Sequence, residues 1–144
     1  MSKRRHAREL ALKVLFQVDV GRLPIEEVLE TSYEEVRPSA EDWKFVEEAV
    51  RGVVQEQDEL DRRIGAMAEG WRLERLARVD KNVLRLALHE IIHHPDVPAS
   101  VVINDAVEVA KKYSTEDSGR FVNGILGSFL KQRERSDRAS DSDK

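Results

Sequence analysis

The sequence of 144 residues lacks cysteine altogether and has few aromatic residues, 6% of the chain. Without cysteine, the chain forms no disulfide and offers no thiolate to a metal ion. It also lacks any run approaching the roughly 20 apolar residues that span a membrane. The apolar residues after the basic N-terminus are interrupted by Lys13, Gln17 and Asp19, which argues against a signal peptide. We therefore expect a cytoplasmic protein of one domain that does not associate with membranes.

The common glycine-rich and nucleophile motifs of enzymes are missing as well. The sequence contains no Walker loop, no G-x-G-x-x-G fingerprint and no G-x-S-x-G elbow. Acidic residues are numerous, but they are spread over the surfaces of predicted helices, so no pair stands out as a general acid and base. We expect a protein that is not an enzyme and that needs no cofactor.

One motif argues for an enzyme. Residues 89–93 read HEIIH, and on a helix such a pattern places two zinc-binding histidines on one face, with the glutamate as general base. Helical geometry, however, places both histidines on the polar face beside Asn82 and Arg85. A third ligand such as Glu108 or Glu116 requires a fold that the pattern does not support. A zinc hydrolase is therefore a minor alternative, and we expect histidines that face solvent or RNA, with no metal.

Apolar residues recur at spacings of three and four along the whole chain, which predicts an all-α protein. Proline and glycine separate the periodic segments, with Gly70 and Trp71 marking one of the turns. Helices are predicted at 3–20, 24–29, 40–56, 58–67, 79–93, 99–113 and 116–132. The helix at 79–93 has the widest apolar arc, which is typical of a central helix. We expect a helical domain over residues 1–133 and a disordered polar tail over 134–144.

The charge of the chain is unevenly distributed. The net charge is −4, yet residues 1–13 contain five basic side chains and one acidic side chain. Arg4, Arg5 and Arg8 are neighbours on the first predicted helix, and guanidinium groups suit phosphates. Phe16 lies about two turns further on, where it could stack on an unpaired base or pack in the core. A basic end on an acidic body indicates local anion binding, and the acidic remainder suits a basic protein partner.

The last predicted helix contains three glycines, Gly119, Gly124 and Gly127, each of which costs up to about 1 kcal/mol in a helix interior. Close packing of another helix would offset that cost, and so would the close approach of an RNA backbone. Asn123 could satisfy a buried loop or read a base, and Asp117 could stabilise the start of the helix.

Five segments together resemble the NusB family. They are residues 4–9 (RRHARE), 79–87 (VDKNVLRLA), 96–98 (DVP), 103–111 (INDAVEVAK) and 121–126 (FVNGIL). They occur in the order found in that family and cover most of the chain, so their combination is specific although each segment alone is weak.

The resemblance implies an all-α fold of about seven helices in two packed bundles. It also implies binding of the boxA element of ribosomal RNA leader transcripts together with the ribosomal protein NusE. The pair would join NusA, NusG and RNA polymerase in a transcription antitermination complex. Two alternatives are left undecided: the protein could form a homodimer, and it could be a helical protein–protein adaptor that does not bind RNA. The RNA-binding residues implied by matching positions, together with the basic N-terminus, are Lys3, Arg4, Arg5, Arg8, Phe16, Asp117, Phe121 and Asn123.

Overall fold

The computed structural model describes residues 4–68 and 76–142, with side chains up to residue 137. All regular structure in this part of the chain is α-helical, which confirms the predicted fold class. The turn predicted at Gly70 and Trp71 lies outside the described residues. The helices are α1 (Arg5–Gly21), α2 (Ile25–Val36), α3 (Ala40–Gln55), α4 (Gln57–Met67), α5 (Arg78–His93), α6 (Ala99–Tyr113) and α7 (Glu116–Ser142).

Helix α2 continues to Val36, well beyond the predicted end at 29. Its buried face includes Val28, Leu29 and Ser32, so packing against the core continues past residue 29 and stabilises a further turn of the helix. It ends at Val36 because the next residue, Arg37, precedes Pro38, where a right-handed helical conformation is disfavoured. Arg37 adopts a left-handed conformation with φ of 48°, and its N–H donates to the carbonyl of Tyr33 at 2.7 Å.

The helices form two groups that share one core. Helices α1–α3 pack on each other, and α4–α7 form a second group in which α6 and α7 pack along each other. Helix α5 contacts both groups, and apolar side chains from both join a continuous cluster around it. The prediction of a central helix at 79–93 is therefore confirmed. None of the described helices combines the length and the apolar character that crossing a membrane requires.

The polar side of α5 is buried, contrary to the sequence expectation. Asn82 and Arg85 are 1% and 4% exposed. Asn82 donates to the carboxylate of Asp19 in α1 at 3.1 Å, and Arg85 forms two hydrogen bonds of 2.7 and 2.8 Å with Asp61 in α4. These partners replace the water that the polar groups lose, and polar groups with such partners can be buried. Helix α5 is therefore enclosed on its polar side by charge pairing as well as on its apolar side by packing.

Helix α7 runs to Ser142, past the predicted end at 132 and into the segment expected to be a disordered tail. Residues 131–137 are exposed along this extension. The segment contains no proline or glycine and includes Lys, Arg, Glu and Gln, which favour helix. Its composition suggested disorder because its side chains bury little apolar surface. The division of the chain into a domain and a tail stays a prediction.

Candidate nucleic-acid interface

The N-terminal arginines fall into two environments. Arg4 stands immediately before α1, with its guanidinium 4.7 Å from the centre of the Phe45 ring and 3.4 Å from the carboxylate of Glu41. Its side chain is 36% exposed. Stacking on an aromatic ring holds the guanidinium plane while leaving one face open. Arg4 therefore lies on the surface, as predicted. Lys3 lies outside the described residues.

Arg5 and Arg8 reach a pair of buried carboxylates instead. Arg5 donates to Asp105 of α6 at 2.9 Å. Arg8 also pairs with Asp105, and it donates hydrogen bonds of 2.6 and 2.8 Å to Glu90 of α5. The side chain of Arg8 is 6% exposed and that of Arg5 is 21% exposed. The expectation that Arg8 shares the helix surface with Arg4 is therefore not met, because its guanidinium points inward between α5 and α6.

The environment of Arg8 fixes its charge. Burial lowers the pKa of Arg8, but the hydrogen bond and negative charge of Glu90, with those of Asp105, outweigh it and leave that pKa above its ordinary value. In this cluster the positive charges of Arg5 and Arg8 are matched by the negative charges of Glu90 and Asp105. Arg8 therefore holds the start of α1 against α5 and α6, and Arg5 is the member of the cluster with surface exposure.

Beyond Arg5, one surface of α1 meets the C-terminal end of α6. Glu9 accepts hydrogen bonds from Lys112 at 3.2 Å and from the hydroxyl of Tyr113 at 3.3 Å. Lys13 lies 5.9 Å from the centre of the Tyr113 ring. The half-buried Phe16 lines the same shallow groove as Lys13 and Tyr113. We call this surface the α1–α6 seam: Arg5, Glu9, Lys13, Phe16, Lys112 and Tyr113.

Sequence reasoning placed two residues of the seam and missed others. Arg5 and Phe16 were predicted, whereas Tyr113 appeared only as the end of a predicted helix. A signal was available, since positions 5, 9, 13 and 16 follow one face of α1 at helical spacing. Helical spacing could not predict that α6 contributes to the seam, because Glu9 and Tyr113 are 104 positions apart in the sequence.

The predicted residues of α7 differ in exposure. Asp117 and Asn123 are exposed, and Phe121 is partly buried against the core. Asn123 therefore satisfies no buried loop. Close helix packing explains only Gly119, where a Cβ atom would lie 2.9 Å from the Lys111 side chain. A Cβ at Gly124 or Gly127 would meet no atom of the described chain within 4 Å.

Two hydroxyl residues and a buried acid fix the start of α7. Thr115 accepts a hydrogen bond from the backbone N–H of Ser118 at 3.1 Å, which caps the start of the helix. The hydroxyl of Ser118 donates to Asp80 of α5 at 3.0 Å. The other carboxylate oxygen of Asp80 is buried and has no hydrogen-bond partner among the described residues. Burial raises the pKa of Asp80, although hydrogen bonds from Ser118 and Ser114 act in the opposite direction.

In the HEIIH motif, His93 faces solvent as expected, whereas His89 does not. His89 is 6% exposed, His93 is half-exposed, and their rings stack with centres 4.4 Å apart. Burial, followed by the nearby charge of His93, lowers the pKa of His89. Glu90 points away from the histidines to Arg8, so it does not occupy the position of a general base in a zinc hydrolase. Glu56, rather than Glu108 or Glu116, supplies the carboxylate beside the two rings.

Comparison with known proteins agrees with the fold. The chain is similar to the transcription antitermination protein NusB of Desulforudis audaxviator (strain MP104C), with 46% identity over 132 residues, 92% of this chain and 96% of that protein. It is similar in structure to T. maritima NusB, with 38% identity, a TM-score of 0.83 and coverage of 91% of this chain and 92% of that one.

A second structural relative is a chain in the crystal structure of antitermination factors NusB and NusE in complex with dsRNA. It is 28% identical, has a TM-score of 0.83, and is matched over 92% of this chain and 99% of its own length. The sequence pattern of the NusB family matches residues 5–131. On this evidence, the chain belongs to the NusB family.

Proposed function

We propose that the protein is a transcription antitermination factor that binds boxA-type RNA of ribosomal RNA leader transcripts together with the ribosomal protein NusE. The α1–α6 seam carries this proposal, because it sets cations beside aromatic rings on an accessible surface. Lys112 lies 5.2 Å and Lys13 lies 5.9 Å from the centre of the Tyr113 ring. With RNA bound, the protein and NusE would join NusA, NusG and RNA polymerase. The resulting complex would help the polymerase pass terminators.

The chemistry of the seam suits a single strand. Unpaired bases stack on aromatic side chains, and basic side chains contact the phosphates between them. Phe16 and Tyr113 are the aromatic platforms that we assign to the bases, and Lys13, Arg5 and Arg4 are the cations that we assign to the phosphates. We also retain Lys3 as a contact because of its position in the sequence. Arg8 acts on RNA indirectly, by positioning the helix that presents the other residues.

The exposed face of α7 supplies a second candidate contact. Asn123 and Gly124 are both exposed, and the open space beside Gly124 lets another backbone approach the helix closely. We assign Asn123 to a base edge, because an amide offers both a donor and an acceptor. Phe121 and Asp117, three and seven positions before Gly124, lie on the same side of α7 as Gly124, and we assign them to the same contact.

We further propose that the protein acts as an adaptor, not as an enzyme, in the cytoplasm. A net charge of −4 suits association with a basic ribosomal protein. The crystal structure of antitermination factors NusB and NusE in complex with dsRNA, which contains a chain similar to this one, supports a joint mode of binding. If the protein were an adaptor without RNA binding, the seam residues would be irrelevant to nucleic-acid affinity.

Substitutions in the seam test the proposal through fluorescence anisotropy of labelled boxA-type RNA. Tyr113→Leu is expected to weaken binding by about 1–3 kcal/mol, the usual worth of a base-stacking aromatic. Lys13→Ala is expected to reduce the salt dependence of log K by about one unit. Arg62→Ala is the matched control, since it removes an exposed cation from α4. If all variants bind RNA with the same affinity and the same salt dependence, the α1–α6 seam does not contact the RNA.

A further inference from the structure

We propose that Glu56, His89 and His93 form a binding site for a divalent transition metal ion, with zinc the preferred ion. Their candidate ligand atoms all lie within 4.8 Å of one another. Nε2 of His93 is 2.9 Å from a carboxylate oxygen of Glu56. The site is independent of the α1–α6 seam, and it does not depend on the proposed RNA function.

Helical spacing and one close helix contact bring the ligands together. His89 and His93 are separated by one turn of α5, so both rings project from the same side. Glu56 follows α3 directly and precedes α4. It therefore reaches the two rings from a helix junction. Tetrahedral zinc with bonds of about 2.0–2.1 Å needs ligand atoms roughly 3.4 Å apart, so the three ligand atoms, which lie within 4.8 Å of one another, must move closer together on binding.

His89 provides a second, independent indication of a ligand. The residue is 6% exposed, yet neither of its ring nitrogens has a hydrogen-bond partner among the described residues. Buried polar groups normally have one. Its place between α3 and α5 depends on Gly52, because a Cβ atom there would lie 2.2 Å from Nε2 of His89. The ring nitrogens keep slight access to solvent, and a metal ion would provide the partner that the described residues do not.

The donor set selects the kind of ion. Two imidazoles and one carboxylate suit zinc and its neighbours in the first transition row, whereas magnesium and calcium prefer oxygen ligands alone. His93 and Glu56 are half-exposed, so water can occupy a fourth position. Glu90 is held by Arg8, so the site lacks the base of a hydrolase. We assign the ion a structural role, clamping the α3–α4 junction to α5.

Zinc titration of the full chain, without an affinity tag and after removal of metal with a chelator, tests the site. A chromophoric zinc competitor reports affinity and stoichiometry, and cobalt absorption reports tetrahedral coordination. We expect one ion per chain and a rise in the melting temperature on addition of zinc. His93→Ala and Glu56→Gln, which change half-exposed side chains, should each weaken binding at least about 10-fold.

His94→Ala is the matched control, since it removes the adjacent histidine, which is not among the three ligands. It should keep the zinc affinity of the original chain. Circular dichroism establishes that each variant is folded before its affinity is compared. The proposal is overturned if the original chain binds no zinc, if folded His93→Ala and Glu56→Gln variants bind as tightly as it does, or if His94→Ala loses as much affinity as they do. A melting temperature that zinc does not raise would overturn the structural clamp.

Discussion

Replacing Arg8 by methionine should destabilise the protein strongly, although the sequence places this residue in a surface-like basic cluster. The substitution keeps much of the side-chain length and removes the charge that Glu90 and Asp105 face. Removing one partner of a buried ion pair typically costs 3–5 kcal/mol, because the other charge stays buried without compensation. Asp105 keeps its hydrogen bond with Arg5, whereas Glu90 pairs with no second cation among the described residues. The expected loss is therefore about 3–5 kcal/mol in the free energy of unfolding.

Urea unfolding at pH 7, followed by circular dichroism, measures this loss directly. For a chain of this size it corresponds to a fall in melting temperature of roughly 10–20 °C. Arg62→Met, which breaks an exposed pair with Glu59, is the control and should leave the unfolding midpoint unchanged. Adding Glu90→Gln to Arg8→Met should restore part of the stability, because the two sites are coupled. A loss below about 1 kcal/mol for Arg8→Met would refute the assignment of Arg8 to a buried structural role.

Three further substitutions have expected outcomes in the same unfolding assay. Since burial raises the pKa of Asp80, the folded state holds its proton more tightly, and stability is lost as the pH rises above about 4. Asp80→Asn removes that loss, so its stability relative to the original chain should be greater at pH 7 than at pH 4. Gly124→Ala should stabilise α7 by about 0.5–1 kcal/mol, because the added methyl group meets open space. Ser39→Ala should cost about 1 kcal/mol, because Ser39 Oγ accepts from the N–H of Asp42 at 3.1 Å and caps α3.

Each of these outcomes has a clear opposite. An Asp80→Asn variant with the same relative stability at both pH values would mean that the burial of this carboxylate has no energetic effect. Destabilisation by Gly124→Ala would show that the open side of α7 is filled in solution. Ser39→Asp is the control for the cap, since it keeps an acceptor and should keep the stability. Equal stability of Ser39→Ala and the original chain would contradict the capping contact.

The helices could be predicted because local sequence sets them. The bounds of α6 match the prediction, and α5 differs from it only by beginning one residue earlier. This agreement is expected because apolar spacing and flanking prolines are local signals. The enclosure of α5 could not be predicted in this way. Arg85 lies on the polar side of its helix, and only the fold brings Asp61, 24 positions away, to within hydrogen-bonding distance.

The candidate site shows the same division. The basic N-terminus was visible in the sequence, and Arg4 and Arg5 keep surface exposure. Arg8 has the same chemistry and helical spacing, yet it is buried, because its partners Glu90 and Asp105 come from helices 82 and 97 positions further along. A run of like charges predicts an anion-binding surface, but it does not show which members serve the fold itself.

The most direct test of the proposed function is a titration of boxA-type RNA and a scrambled control with the full chain. The titration is made with and without the ribosomal protein NusE, at salt concentrations of about 50 and about 200 mM. We expect tighter binding of the boxA-type strand, a further gain when NusE is present, and weaker binding at the higher salt. Equal affinity for both strands under every condition would contradict sequence-directed RNA binding, and the protein would then be an adaptor that binds proteins alone.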